Sequence, residues 1–442
     1  MEIAIIGAGP TGLFLAAGLA RRGHAVAIVD RDTGPLPDGH WPRRGVMQFH
    51  HAHAFRAQCA SALQAELPTA FERWTEAGAE PVSVDLPDGS ERLVAVRSQR
   101  QTFETALRSA ALAQPGVTFR PGHVDGVLVE DGRAVGLDLG DRTLRADLVL
   151  DASGRSGRAS ATHRPAATAG GDCGIAYVDR LYQLRPGAEP GPMLNPIAWQ
   201  ADLDGYLVLL FPHERGIFSV LVVRPTAGRE LLGLRHPAGF DAACRAIPGL
   251  DTWTDPERAR PLGAVLPGGR LYNHYRPQTH PDGRLALPGL VLVGDAVCTT
   301  TPNFGRGVTL SLLQAQQLLA LVDEHGRDVD ALGRAFDAWC EARMRPWVED
   351  HARMDDALRR RWEGEDVDLD APLPSDLVMA AAAVDPSIGQ AVGPYAAMVA
   401  GPEVLDGAQD RARAVYASGW RPPLSDGPSR DELAAVVASA LG

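Results

Sequence analysis

Glu2-Ile3-Ala4-Ile5-Ile6-Gly7-Ala8-Gly9-Pro10-Thr11-Gly12 is the stretch whose reading decides the fold. Ile3 to Ile6 is a short, uncharged, β-branched run of the kind that forms a buried parallel strand. It runs straight into Gly7-x-Gly9-x-x-Gly12. Leu13, Ala16, Ala17 and Ala20 then recur at helical spacing, which predicts a helix to about Arg22, and Gly23 suits the left-handed position after its last turn. A second strand, Ala25-Val26-Ala27-Ile28-Val29, ends on Asp30. The glycines allow a tight turn, close approach of backbone to a diphosphate, and close packing of helix on strand. The helix start, with Thr11 in its loop, offers free N–H groups and a positive dipole end to that diphosphate. Asp30 can accept hydrogen bonds from both ribose hydroxyls. Strand, loop, helix, strand and terminal acid in this order predict an adenine dinucleotide site, with an ordinary βαβ turn as the plainer alternative.

The whole chain has 442 residues, 45% hydrophobic and 22% charged, a globular composition with room for two or three domains. Its net charge of −12 argues against a nucleic-acid or anionic-membrane partner. No apolar run reaches membrane-spanning length. With the first strand at residue 2, no signal or transit peptide is expected, and the five scattered cysteines read as free thiols in a reducing cytoplasm. All 43 basic residues are arginine. No mechanism that needs a lysine is open to this chain.

Beyond a Pro- and Gly-rich loop, Arg43-Arg44-Gly45-Val46-Met47-Gln48-Phe49-His50-His51-Ala52-His53-Ala54-Phe55 leads into a helix through about Glu66. If that helix includes His50, then His50 and His53 share a face. No carboxylate or cysteine stands at ligand spacing, so no metal site is expected. The histidines either cap and pack the helix start or face a cofactor or substrate. Residues 80–97 alternate about Pro87-Asp88-Gly89 as a hairpin, and Ser98 to Leu107 opens another helix. Leu148-Val149-Leu150 is a strand core ending in Asp151-Ala152-Ser153-Gly154-Arg155. From about Gly174 to Tyr275 repeated strands with Pro/Gly turns predict an antiparallel sheet forming one wall of a pocket. A buried strand then runs into Gly294-Asp295-Ala296-Val297-Cys298, followed by Pro302-Asn303-Phe304-Gly305-Arg306-Gly307 and a long helix.

The three signatures at Gly7–Asp30, Asp151–Arg158 and Gly294–Gly307, in this order, resemble those of the flavoprotein monooxygenases related to para-hydroxybenzoate hydroxylase, over roughly residues 1–325. The resemblance implies an α/β fold: a Rossmann-like FAD-binding domain (1–75, 98–160 and 277–325), an inserted antiparallel β-sheet substrate domain (76–97 and 161–276) and a helical C-terminal region (326–442). In that family the first loop and Asp30 hold the AMP half of FAD. Asp295 holds the ribitol, Pro302 lies near the reactive face of the ring, and N–H groups around Gly305, Arg306 and Gly307 meet its pyrimidine edge. Two glycines at a helix start do let backbone donors approach a flat ring, although they also suit a plain turn.

Arg43, Gly45, Val46, Gln48, His51 and His53 match a branch carrying R-x-G-V-P-Q-x-x-H-x-H, with Met47 in place of its proline. Arg43 or Arg44 is thereby the implied loop contact to the flavin, with Arg31, Gln48 and Val124 also on its path. Arg100 matches the arginine of an R-x-x-F-[DE]-x-x-L helix start beside the diphosphate, its alternative being a surface salt bridge. His50, His51 and His53 are the candidate acid–base groups because histidine titrates near neutrality. Ser153-Gly154 stands where single-component hydroxylases carry Asp-Gly, and Cys298 where a histidine is usual. Both changes occur in branches whose flavin is often reduced by a partner. The implied reaction is reduction of FAD by NADH or NADPH, directly or through a flavin reductase. Capture of O2 as a C4a-(hydro)peroxide and transfer of one oxygen atom to a small organic substrate would follow, by hydroxylation or epoxidation in secondary metabolism. A flavin-dependent dehydrogenase, reductase or cyclase is the first alternative, since fold does not fix chemistry. A flavin-binding module without catalysis is the second. Halogenation through a lysine is excluded.

Overall fold

The apolar run at the start of the chain forms the middle of a five-stranded parallel sheet in the computed structural model, which describes residues 1–43, 45–86 and 89–442. The order is Leu290–Leu292, Leu148–Asp151, Glu2–Ile6, Ala25–Asp30, Val117–Pro121. Ile3 sits in register with Val26 on one side and Leu148 on the other. Buried on both faces, these strands need no polar alternation, which is why they read as continuous apolar runs. Helix Pro10–Arg21 covers one face and crosses helix Gly307–His325 so tightly that a Cβ on Gly18 would lie 2.5 Å from Leu319. The Rossmann-like domain, the antiparallel sheet and the helical C-terminal region of the expected fold are all present.

The second large sheet is antiparallel, in the order Trp199–Leu203, Tyr206–Pro212, Ile217–Pro225, Ile175–Leu184, Ala259–Pro261, with Leu266–Gly268 also paired to Ile175–Leu184. Side chains alternate across it. Ile175, Tyr177, Leu207, Leu209, Phe211, Leu221 and Val223 cluster on the face that meets Ala52 and Ala54. Val178, Tyr182, Val208, Leu210, Val220 and Val222 pack on the other face, under helices Pro237–Ala246 and Arg430–Leu441. The latter helix thus belongs by packing to the antiparallel sheet, where Leu433 and Val437 are fully enclosed. A capping box between Ser429 and Glu432 fixes its start. No described helix is long and apolar enough to cross a membrane.

The histidine stretch leads into a helix that ends at Glu66, as expected, but that helix does not include His50. Met47–His50 is a single 3-10 turn, residues 51–54 are extended, Phe55–Arg56 pairs with Ala95–Val96, and the helix begins at Ala57. The Ala52 N–H donates to Asp179 at 2.7 Å, and the His53 ring bonds the His51 carbonyl at 2.9 Å. These bonds hold the backbone out of helical geometry, so His50 and His53 do not share a helix face. The hairpin Glu80–Asp85/Glu91–Arg97 forms as expected, while its turn residues Pro87 and Asp88, like Arg44, lie outside the described residues.

Because Leu433 closes the back of the antiparallel sheet, Leu433→Ala should lower unfolding stability by about 2–5 kcal/mol in a urea titration, the usual cost of truncating an enclosed leucine.

Candidate functional site

Three loops leave neighbouring carboxyl ends of the parallel strands and touch. Gly7 has φ +98°, and a Cβ on it would lie 2.7 Å from the Ala152 carbonyl oxygen, so the first and middle signatures are in backbone contact. Gly294 has φ +70°, and its Cβ would lie 2.8 Å from Thr11 Oγ1, which joins the first signature to the last. Its N–H donates to Gln314 Oε1 at 2.9 Å. Gln314, fully buried on helix Gly307–His325, was not singled out from sequence, since nothing local marks it.

The helices that start at Pro10 and at Gly307 have no capping side chain and no acidic residue in their first turns. Their first N–H groups and positive ends are therefore left for something else. A Cβ on Gly9 would meet only Arg43 Nη2, at 3.9 Å, and one on Gly307 would meet nothing within 4 Å. Both positions keep open space beside free donors, which fits a group that presses a diphosphate against one helix start and a flat ring edge against the other. Burial raises the Asp295 carboxyl above its ordinary range, and the Arg100 and Arg155 charges oppose that rise. Pro302 is exposed, on the 3-10 turn before Gly305.

Around the first loop the predicted residues fall into place unequally. Asp30 accepts from the Ala8 N–H at 2.6 Å and the Asp32 N–H at 2.8 Å, one on each oxygen. Its second lone pairs are what a ribose would use. Arg43 is buried with φ +25°; it donates to the Ala8 carbonyl at 3.1 Å and lies 4.7 Å over the Trp41 ring. Arg31 is exposed above Gly45, Gln48 is half-buried and Val124 is buried. Glu104 is a residue that sequence reading missed as a functional one. It is fully enclosed and pairs with Arg43 at 2.8 Å and with Arg100 at 2.5 Å, one turn earlier on its own helix. Its i, i+4 spacing from Arg100 was a usable signal. Arg100 is accordingly buried, not the exposed partner of a surface salt bridge.

The three histidines separate. His50 is exposed beside Phe49. His53 lies between the His51 carbonyl and the Arg100 guanidinium, whose Nη1 is 3.1 Å from its Nε2, and burial with that charge holds its pKa well below the ordinary value. His51 is buried, edge-on to Tyr177, with Nδ1 3.2 Å from Asp179 Oδ1. Asp179, wholly enclosed, projects from the antiparallel sheet. Only His51 is therefore held by a carboxylate against the apolar sheet face. Sequence reading missed Asp179, an acid inside a strand paired across a domain boundary.

Arg306 was expected to offer its backbone N–H, and its side chain turns elsewhere. Its side chain is buried among Trp347, Tyr395 and Phe304, away from the opening, and only its backbone remains for a ligand. Gly305 (φ +61°) packs so closely on Ala54 that a Cβ would come within 2.8 Å. Cys298 is buried, and burial raises its thiol pKa. In the middle signature Asp151 accepts from Arg164 at 2.6 Å, from Ser153 at 2.6 Å and from Ser160. Behind the Pro302 turn the Thr301 N–H donates to Asn273 at 2.7 Å, and Asn273 donates to Asp355 at 2.7 Å. Burial pushes the Asp355 carboxyl up to about 7.

The parallel sheet, the inserted antiparallel sheet and the helical region together make the fold of flavin-dependent monooxygenases and halogenases. The flavin-dependent brominase Bmp2 superposes with a TM-score of 0.62 at 16% identity, over 95% of this chain and 98% of its own. PqsL of Pseudomonas aeruginosa, described as a probable FAD-dependent monooxygenase, superposes with a TM-score of 0.57 at 18% identity, over 82% of this chain and 98% of its own. Residues 2–171 match the family model of the lycopene cyclase proteins. Protein Rv3254 of Mycobacterium tuberculosis (strain ATCC 25618 / H37Rv) is 25% identical over 359 residues, 71% of each chain.

Two outcomes follow from this geometry. Gly307→Ala has room in the protein and improves helix propensity, so the ligand-free melting temperature should hold or rise. FAD affinity measured by fluorescence should nevertheless fall by about tenfold, or ~1.4 kcal/mol, because the methyl would fill the open space beside the free N–H donors. Asp355 has a folded pKa of about 7 against an ordinary 3.8, so the native state keeps a proton that the unfolded chain loses between those values. Stability from this group is present at low pH and lost as pH rises through that window. Melting curves of Asp355→Asn should lack that part of the decline.

Proposed function

We propose that this protein binds FAD and acts as a monooxygenase, placing one oxygen atom from O2 into a small organic substrate by hydroxylation or epoxidation in secondary metabolism. One observation carries the reading. Two uncapped helix starts, each with an open glycine, converge through touching loops beside an apolar sheet face that holds a single buried histidine–aspartate pair. Bmp2 and PqsL, with the same fold, are described as a flavin-dependent brominase and an FAD-dependent monooxygenase. PqsL has been seen in complex with 2-aminobenzoylacetate, a small molecule of the size proposed here.

When bound, FAD supplies the redox and oxygen chemistry. The chain's own residues bind and orient. Gly7, Gly9, Thr11 and Gly12 shape the diphosphate cradle, and Asp30 takes the ribose. Arg43 and Arg100, fixed by Glu104, supply positive charge along the path, Asp295 takes the ribityl chain, and the N–H groups about Gly305 and Gly307 take the ring edge. The apolar face of Tyr177, Leu209, Phe211 and Leu221 excludes water from the substrate. Asp179 holds the His51 ring in place, with Nδ1 3.2 Å from its Oδ1.

Electrons come from NADH or NADPH by way of a separate flavin reductase. The middle signature supports this, because the Asp151 carboxylate is enclosed and bound by Arg164, Ser160 and Ser153. Halogenation through a lysine is impossible in a chain that has none. The match of residues 2–171 to the lycopene cyclase model favours a second reading, a flavin-dependent cyclase, dehydrogenase or reductase on the same scaffold.

Anaerobic mixing decides between them. FAD-loaded protein should bleach with NADH or NADPH only when a flavin reductase is added, and then consume O2 on aeration. Fast bleaching without the reductase would sink the two-component proposal. A reduced protein that consumes no O2 would sink the oxygenase and leave the cyclase reading.

A further inference from the structure

The turn from Thr301 to Gly307 carries two glycines and a proline, and its own backbone does little to hold it in one place. Glycine loses the most freedom on being ordered, so such a turn needs anchors from outside. Helix Arg345–Trp362 provides two, near opposite ends of the turn. At the near end, Asp355 accepts from Asn273, whose side-chain oxygen accepts the Thr301 N–H. At the far end, Asp350 lies 3.6 Å from Arg306. The Arg306 guanidinium also donates to Tyr395 Oη at 2.9 Å and sits 3.3 Å from His351 Nε2. Its plane lies 4.7 Å from the Trp347 ring and 4.5 Å from the Tyr395 ring. Tyr395 in turn donates to Asp350 at 2.6 Å, and Ser375 donates to the other oxygen of the same carboxylate. Arg306, Asp350 and Asp355 are all at most 2% exposed. On the opposite side, Arg56 donates to the Phe304 carbonyl at 2.8 Å and Ala54 packs on Gly305.

A buried guanidinium that loses its partners is left as an uncompensated charge, so the Arg306 backbone cannot drift from this cage without a large penalty. The planar fork also fixes orientation as well as position, which a lysine would not do. We propose that Arg306 is a positioning residue. Through it and the Asn273 link, the helix Arg345–Trp362 grips the turn at two points and sets the N–H groups of Gly305 to Gly307 for the pyrimidine edge of a flavin. This rests on the reading that FAD binds at that turn.

The test compares Arg306→Leu and the milder Tyr395→Phe, which removes only the hydroxyl joining Arg306 to Asp350, with Phe336→Leu. Phe336 is buried on the adjacent helix Val329–Arg343 and has no part in the cage. FAD dissociation constants, flavin absorption spectra and midpoint potentials are measured on purified full-length protein. Arg306→Leu should weaken FAD by tenfold or more. Tyr395→Phe should weaken it several-fold, and both should perturb the flavin spectrum and lower its potential, since misplaced donors no longer favour the reduced, anionic ring. Phe336→Leu should lower the melting temperature while leaving affinity, spectrum and potential at wild-type values. Unchanged flavin properties in Tyr395→Phe and in folded Arg306→Leu would overturn the proposal, as would equal changes in Phe336→Leu. Wild-type protein that takes up no FAD would overturn the flavin reading, and this proposal with it. Uptake by the wild type with unaltered variants would overturn this proposal alone.

Discussion

Close approach of backbone to backbone at the carboxyl edge of the parallel sheet is the constraint on which the rest depends. Gly7 lies against the Ala152 carbonyl, and Gly12 lies so near the Gly7 carbonyl that a Cβ would come within 1.9 Å of its oxygen. Gly294 lies as closely against the side chain of Thr11. A side chain at any of these positions would push the loops apart. At Gly7 and Gly294 it would also strain a left-handed backbone, by about 1–3 kcal/mol each. The close contact lets two helix starts serve one opening from different parts of the chain.

Buried charge then connects the layers that this contact creates. Glu104 joins the loop at Arg43 to the helix at Arg100, His51–Asp179 joins the histidine segment to the antiparallel sheet, and Arg306–Asp350 joins the glycine turn to the C-terminal helices. Such pairs add little net stability, because desolvation offsets much of the Coulomb gain. They do specify orientation, and every long cation here is an arginine whose planar fork can meet several acceptors at once. Against an apolar sheet face, a polar link of fixed geometry is what distinguishes one docking of two layers from a neighbouring one.

What the sequence made legible was whatever is local. The strand–glycine loop–helix–strand order from Glu2 to Asp30 is written in consecutive residues, and so are the alternating strands of the antiparallel sheet. The cage around the Arg306 side chain was not legible, because its neighbours in sequence are glycines, whereas its neighbours in space are Trp347, Asp350 and Tyr395. Asp179 and Gln314 escaped for the same reason: an acid in a strand and a glutamine in a helix carry no mark of the distant group they hold. Whether the helix reached back to His50 was left open by the sequence, and the hydrogen bonds from Ala52 to Asp179 and within the histidine pair keep it from doing so.

The helix Arg430–Leu441 has a consequence for the order in which the protein is made. It supplies Leu433 and Val437 to a core whose other members come from residues 178–265. At a synthesis rate of about 5–20 residues per second, the back of the antiparallel sheet waits roughly 10–35 s for its cover to emerge. During that interval an apolar surface that includes Val208, Leu210, Val220 and Val222 has no cover from that helix, on a nascent chain whose dinucleotide-type strands have already been made. The sheet that walls the site is thus finished after the site itself, and whatever shields it on the ribosome has to release it to a helix that arrives late.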